Sequence, residues 1–472
     1  MLKRKAYQKL VSWKTCLPNK VLLVDGARQV GKTFLIEEFG RREFDNCVKV
    51  DFLRDEQAPY VANASDAADL VERLSLMAGR KVETGKTLVF FDEVQEAQNL
   101  VTLSKYLVED GRFRLVMSGS LLGAELKHVK SFPVGFLHVE RMFPLDFEEF
   151  GRAVGMTESL WSKLEEHAGT LKPIEASLHE RLLRLFRLFM IVGGMPEAVQ
   201  TYINDKGDLG AVRDVHRDLV QLYRADISRY AGNRTLQVES IFDSIPSQLD
   251  KENKRFELRT LQKKATFERY ANDFQWLVSA CAALKTVNVS EPACPLKRTE
   301  EQGRFKLYQA DTGMLSSRYP LSVAMAVIAG QKDVNFGGAY ENVVAQELAS
   351  ARVALRYHRH SSRGEVDFIA ETPEREVVPI VVKSGKTYKR HVALNNLLAV
   401  EDYGVQEAYV LSEANVSQEY RLGKPVHHLP LYLIPFVAKR MVAEEINAAE
   451  ELERFGTDVE TLIVPPPSFE DF

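Results

Sequence analysis

Residues Val21 to Phe39 read VLLVDGARQVGKTFLIEEF. An apolar run meets a glycine-bounded loop, then a lysine, a threonine and an amphipathic stretch. Gly26, Gly31, Lys32 and Thr33 fit the spacing G-x-x-x-x-G-K-[ST]. Glycine lets backbone N–H groups approach and cradle phosphate oxygens, and the helix opening after Gly31 aims its positive end at the same anion. On this reading Gly26, Ala27, Arg28, Gln29, Val30, Gly31, Lys32 and Thr33 line a nucleotide-phosphate site. Lys32 would reach the β/γ-phosphates and the Thr33 hydroxyl would ligate Mg²⁺. The expected cofactors are ATP and Mg²⁺.

The loop needs a parallel sheet around it, and the chain supplies the strands. FDNCVKVDFL (Phe44–Leu53) alternates apolar and polar, and TLVFFDEVQ (Thr87–Gln95) runs apolar into Asp92 and Glu93. A buried strand ending in carboxylates beside a phosphate loop is the second signature of nucleotide hydrolysis. Asp92 would hold Mg²⁺ and Glu93 would polarise the attacking water. FRLVMSGSLLG (Phe113–Gly123) ends another strand in small polar residues, so Ser118 or Ser120 would face the γ-phosphate. FLHVERMFPLDFEEF (Phe136–Phe150) reads as a last strand and a turn, with Asp146 and Glu149 spaced as a capping box. The alternation of strands with helical stretches predicts an α/β fold, a parallel sheet covered by helices on both faces.

With 472 residues the chain exceeds one ordinary core. Net charge is −4, so a nucleic-acid site would have to be a local basic patch. The wide spacing of Cys16, Cys47, Cys281 and Cys294 gives no zinc motif and no disulfide framework, which fits a reducing cytoplasm. The basic start MLKRKAYQKLVSWK lacks the apolar core of a secretory signal. No run approaches the roughly 18 apolar residues of a membrane span.

Residues 156–235 read as helical, broken at Gly193-Gly194, with Pro196 in the first turn of a new helix. From 236 to 328 helices give way to short β-rich pieces. The basic cluster Lys251, Lys254, Arg255, Arg259, Lys263 and Lys264 would face phosphates from a recognition helix or form a solvated face. YQADTGML (Tyr308–Leu315) reads as structural. Then come the helix GGAYENVVAQELA (Gly337–Ala349) and the strands in LRYHRHSSRGEVDFIAE and VVPIVVKSG. After 432 an Ala/Glu-rich helix (Phe436–Phe455) leads to VPPPSFEDF, an acidic, proline-rich tail.

The set GARQVGKT, LVFFDEVQ, SGS, MFPLDFEEF and GGMPEAV resembles a family of bacterial and archaeal AAA+-type ATPases joined to a C-terminal domain related to PD-(D/E)xK nucleases. The resemblance implies an ATPase core (1–155), a helical lid (156–235), a winged-helix-like domain (236–328), a restriction-endonuclease-like α/β domain (329–432) and a terminal helix and tail (433–472). It implies that Pro196 lies near the adenine and that an arginine, Arg28 or Arg141, completes the site. It also implies a second site built from Glu341, Asp367 and Lys383, with Glu365 on the same strand face as Asp367. The family acid two residues before the lysine is Val381 here, and valine cannot hold a metal. A degenerate core that grips DNA or a protein is therefore expected over one that cuts. His358, Arg359, His360, Arg363, Lys386, Lys389, Arg390 and His391 would make its basic face.

Three functions are compatible with this reading. One is an ATP-hydrolysing switch or motor with DNA-binding C-terminal modules. Another is a regulatory or defence-type protein whose assembly is gated by nucleotide. The last is an ATP-regulated, Mg²⁺-dependent nuclease. DNA, a protein partner docking on the C-terminal domain or tail, and further copies of the chain are the partners expected, with no membrane.

Overall fold

The computed structural model describes residues 2–17, 19–79, 81–83, 85–110, 114–119, 135–331, 336–384 and 392–442. A helix, Lys5–Cys16, precedes β1 (Val21–Gly26), the helix Lys32–Glu43, β2 (Asn46–Asp51), β3 (Thr87–Asp92), β4 (Arg114–Gly119) and β5 (Leu137–Met142). The strands lie in the order β2-β3-β4-β1-β5, and their pairings are all parallel. β1 and β3 are buried along their whole length, which is why they read as unbroken apolar runs. Leu22, Val24 and Phe90 pack on one face with Leu35, Ile36 and Phe39. Val21, Leu23, Val89 and Phe91 pack on the other with Leu70, Leu74 and Leu100.

Asp146 and Glu149 form the capping box that their spacing predicts, at the start of the helix Phe147–Ala153. The Arg4 guanidinium reaches the same place, donating to Glu149 Oε2 (3.1 Å), Phe143 O (2.6 Å) and the loop carbonyl Val30 O (2.9 Å). Helices Glu158–Thr170, Ala176–Val192, Pro196–Asn204 and Leu209–Tyr230 come next. The break falls at Gly193-Gly194 for a steric reason. A Cβ on Gly194 would lie 2.0 Å from Leu145 O, and one on Gly193, whose φ is +69°, would lie 2.4 Å from Asp311 Oδ1.

Helices Thr235–Leu249 and Phe267–Ser279 lead into the antiparallel pair β6 (Ala283–Val289) and β7 (Glu300–Gln309). β8 (Arg356–His360) joins β6 in parallel and β9 (Gly364–Val366) joins β8, so this four-stranded sheet continues past residue 328. The basic cluster is not on a helix, as a recognition helix would require. Lys251, Lys254 and Arg255 lie in the connection after Leu249, Arg259 in a single 3₁₀ turn (Leu258–Thr260), and Lys263 and Lys264 in the turns beyond it. Side-chain contacts hold this connection out of a helix. Asn253 accepts the Arg255 N–H (3.1 Å), Gln248 accepts that of Glu257 (3.1 Å), and Lys254 is drawn inward to Glu341 (2.8 Å).

The last sheet has the order β10-β11-β12-β14-β13, from β10 (Phe368–Glu371), β11 (Val377–Val382), β12 (Ala408–Ser412), β13 (Ser417–Arg421) and β14 (Lys424–Pro430). Its centre is parallel and its edges antiparallel. The helix Gly337–Ser350 is buried from Gly338 to Ala349. The chain is described as far as the short helix Ile434–Arg440 and Val442, and the expected tail lies outside the described residues. Among the described residues no helix is long and apolar enough to cross a membrane.

Asp311 ties the helical region to the end of β7. Its carboxylate accepts Gly194 N–H (2.6 Å) and caps the helix Thr312–Ser316 through Met314 N–H (2.9 Å). Burial pushes this carboxyl up to about 6, against the backbone donors that favour its charge. The folded state therefore holds the proton more tightly than the unfolded chain does. Stability from this group is present at low pH and is lost as pH rises from about 4 to about 6. Asp311→Asn offers one acceptor oxygen where the carboxylate offers two, and should cost roughly 1–3 kcal/mol. Urea unfolding across that pH range should show a lower midpoint for Asp311→Asn and a gap to wild type that narrows as pH rises.

Candidate functional site

The loop between β1 and the helix Lys32–Glu43 depends on its glycines. Gly26 has φ +153°, and a Cβ there would lie 2.2 Å from Met142 O. Gly31, in the left-handed region at φ +89°, precedes the helix. Lys32 is buried, and its Nζ donates to Gly26 O and Ala27 O, both at 2.8 Å. Burial lowers its pKa despite the nearby carboxylates Glu93, Asp25 and Asp92.

The strand order puts β4 between β1 and β3, and this sets the chemistry. Thr33 comes from the first turn of the helix Lys32–Glu43, Asp92 from the end of β3, and Ser118 from the end of β4. Thr33 Oγ1 donates to Asp92 Oδ2 (2.8 Å), and Ser118 Oγ donates to Asp92 Oδ1. Lys49 Nζ bridges Glu37 (2.7 Å) and Asp92 (3.4 Å). Glu93 turns the chain at φ +54°, and its Oε2 accepts Gln95 Nε2 (2.6 Å). A threonine hydroxyl beside an ionisable aspartate is the hard-oxygen donor set that suits Mg²⁺. With the glycine cradle and the Lys32 ammonium, these residues fit a magnesium nucleotide. Ser120 lies outside the described residues.

The helical region closes over the loop. Pro196 Cγ lies 3.7 Å from where a Gly31 Cβ would stand. Asp226 pairs with Arg28, and Tyr223 OH donates to Arg28 O (3.4 Å), so the helix Leu209–Tyr230 leans on the phosphate loop. Arg141 is held by Asp25 Oδ2 through Nη2 (2.9 Å) and Nε (3.1 Å). Both candidate arginines are thus engaged by carboxylates of their own chain.

The second set of residues also converges. Glu341, Glu365 and Asp367 meet in a cleft of about 680 Å³ that Lys254, Arg359 and Lys383 also line. The fully buried Lys306 of β7 reaches the same acids, its Nζ 2.7 Å from Glu365, 3.1 Å from Glu341 and 3.9 Å from Asp367. Val381 is buried among apolar side chains. Among the described residues no three His, Cys, Asp or Glu side chains are grouped so as to hold a metal. This cluster does not fit the metal that the nuclease resemblance implies. Burial alone would raise Glu341, but Lys306 and Lys254 hold it down to about 2. Burial and the charge of Glu341 push Asp367 up to about 6.

Part of the expected basic face is elsewhere. His358 is buried, with Nδ1 against Val289 O (2.8 Å), and burial lowers its pKa. Arg359 pairs with Glu365 (3.2 Å) and Arg363 donates to Tyr403 OH (3.0 Å). Lys386, Lys389, Arg390 and His391 lie outside the described residues. Sequence reasoning missed Lys306, Lys49 and Asp226. Lys306 carried a signal, a lysine inside the buried run Phe305–Gln309. Lys49 and Asp226 carried none.

Residues 18–151 match the family model of an AAA domain. Residues 183–323 and 336–433 match two domains of unknown function, DUF8612 and DUF4143. The uncharacterized protein MJ1544 of Methanocaldococcus jannaschii is 24% identical over 216 residues, 46% of this chain and 44% of that relative. The chain thus spans less than half the length of the curated relative it matches. The Thermotoga maritima RuvB Holliday junction branch migration motor is 14% identical, covering 65% of this chain and 92% of its own at a TM-score of 0.29. The Aeropyrum pernix ORC1 protein, solved in complex with DNA, is 11% identical, covering 70% and 93% at 0.26. The AAA-domain match takes in the phosphate loop, Asp92, Glu93 and Ser118, and supports nucleotide binding and hydrolysis by this part of the chain.

Proposed function

We propose that this protein is a Mg²⁺-dependent ATPase whose nucleotide cycle gates a C-terminal, nuclease-like unit that binds DNA without cutting it. The observation that carries the reading is the meeting of the Thr33 and Ser118 hydroxyls on Asp92, beside the buried ammonium of Lys32. Lys32 would neutralise phosphate charge, and loop N–H groups would position it. Thr33 and Asp92 would hold magnesium, which when bound supplies electrostatic stabilisation of the transferring phosphoryl group. Glu93 would take the proton from the attacking water, Ser118 would orient the γ-phosphate, and Pro196 would border the base. The DNA part rests on the nuclease resemblance and on Lys254, Arg359 and Lys383, which line one cleft together with Glu252, Glu341, Glu365 and Asp367. The boundaries at 155, 235 and 432 and the winged-helix-like character of the stretch from 236 belong to the same proposal, while the sheet that joins β6 and β7 to β8 and β9 crosses the expected boundary at 328.

Lys32→Ala should abolish ATP binding and turnover, and undiminished turnover by this variant would overturn the reading. Glu93→Gln should bind ATP normally and turn over about 10²–10⁴-fold more slowly, read by equilibrium binding and phosphate release. Asp92→Ala should remove the tightening of ATP binding by Mg²⁺, read by titration of a fluorescent nucleotide in Mg²⁺ and in EDTA. Double-stranded DNA should stimulate the ATPase, and the stimulation should fade steeply along a salt series. An ATPase indifferent to DNA at low salt would remove the DNA part alone.

A further inference from the structure

The acids that the nuclease-like reading assigns to a metal do come together, and they come together around a lysine. Lys306 is completely buried, and its Nζ lies 2.7 Å from Glu365 Oε1, 3.1 Å from Glu341 Oε2 and 3.9 Å from Asp367 Oδ1. Its ammonium also sits over the Tyr357 ring, 5.1 Å from the centroid. Lys254 closes the other side of Glu341, its Nζ 2.8 Å from Oε1. A hard divalent cation needs carboxylate oxygens at roughly 2.0–2.6 Å in a shell of about six. An ammonium amid the same oxygens occupies that space and supplies one positive charge in place of two.

Two further features agree with this. Val381, where the nuclease resemblance expects an acid, packs in an apolar cluster with Val366 and Ile369 and supplies no carboxylate. The lysine is also held in place. Phe305 and Leu307 on either side of it are buried, Tyr308 OH donates to Glu341 Oε2 (2.9 Å), and the next residue is pinned to the same helix. There Asn342 accepts Gln309 N–H (2.8 Å) and donates to Gln309 O (3.1 Å). Moving Lys306 out would leave Glu341 to Lys254 and Glu365 to Arg359 alone, and losing a buried charge partner is costly.

We propose that Lys306 is the resident cation of the C-terminal carboxylate cluster, standing where a nuclease of this architecture would hold its metal and excluding divalent ions from it. The inference rests on the nuclease-like reading of residues 329–432, and its test uses no DNA. Mn²⁺ alone is the probe, with free ion counted by electron paramagnetic resonance on the full nucleotide-free chain. Wild type and Asp367→Asn should bind the same number of Mn²⁺ ions. Lys306→Met, which keeps the stem and drops the charge, should gain one ion per chain, and adding Asp367→Asn should remove it. Mn²⁺ should also raise the melting temperature of Lys306→Met and leave that of wild type unchanged. A lower Mn²⁺ count in Asp367→Asn than in wild type would overturn the proposal, because the acids would then hold metal with the lysine present. That arm decides even if Lys306→Met fails to fold. A folded Lys306→Met, with wild-type far-ultraviolet circular dichroism, that gains no Mn²⁺ would overturn it too.

Discussion

One buried helix, Gly337–Ser350, sets how the rest of the chain fits together. It carries four polar side chains into the interior, two of them onto β7 and two onto the stretch 145–147. Glu341 faces Lys306, Tyr308 and Lys254, and Asn342 pairs with the backbone of Gln309. Gln346 accepts Thr312 N–H (2.8 Å) and donates to Leu145 O (3.4 Å). Glu347 accepts Phe147 N–H (2.9 Å), and burial with the nearby Asp146 charge pushes its carboxyl well up. Buried polar groups cost free energy unless partnered, so four partnered ones specify one arrangement among the many that apolar packing alone would allow.

Contacts run without a gap from the phosphate loop to the carboxylate cluster. Pro196 packs near Gly31, and Gly194, two residues earlier, is wedged between Leu145 O and the Asp311 carboxylate. Asp311 lies just past β7, and β7 carries Lys306 and Tyr308 into the cluster.

Much of the nucleotide site was legible in the sequence because its determinants are local. The loop spacing, the apolar run into Asp92-Glu93 and the Asp146/Glu149 pair each describe backbone geometry within a few residues. The second site was half legible. Glu341, Glu365, Asp367 and Lys383 could be named from strand alternation and a resemblance, and Val381 marked the departure. Lys306 could not be assigned, because it lies in one of the short β-rich pieces before 328 and reaches the acids only when β6 and β7 meet β8 and β9. The recognition-helix reading of Lys251 to Lys264 failed for a related reason. Charge periodicity says nothing about partners, and Asn253, Gln248 and Glu341 decide the local backbone there.

The sequence by itself determined the phosphate loop, the carboxylate that faces it and the parallel sheet that carries both. Loop glycines and buried apolar strands obey short-range steric and solvation rules that any fold must satisfy. Only the tertiary structure decided which cation the distant carboxylates face. An ion pair between Lys306 and Glu341 depends on two segments meeting in space, and long-range charge pairing leaves no periodic trace along a chain.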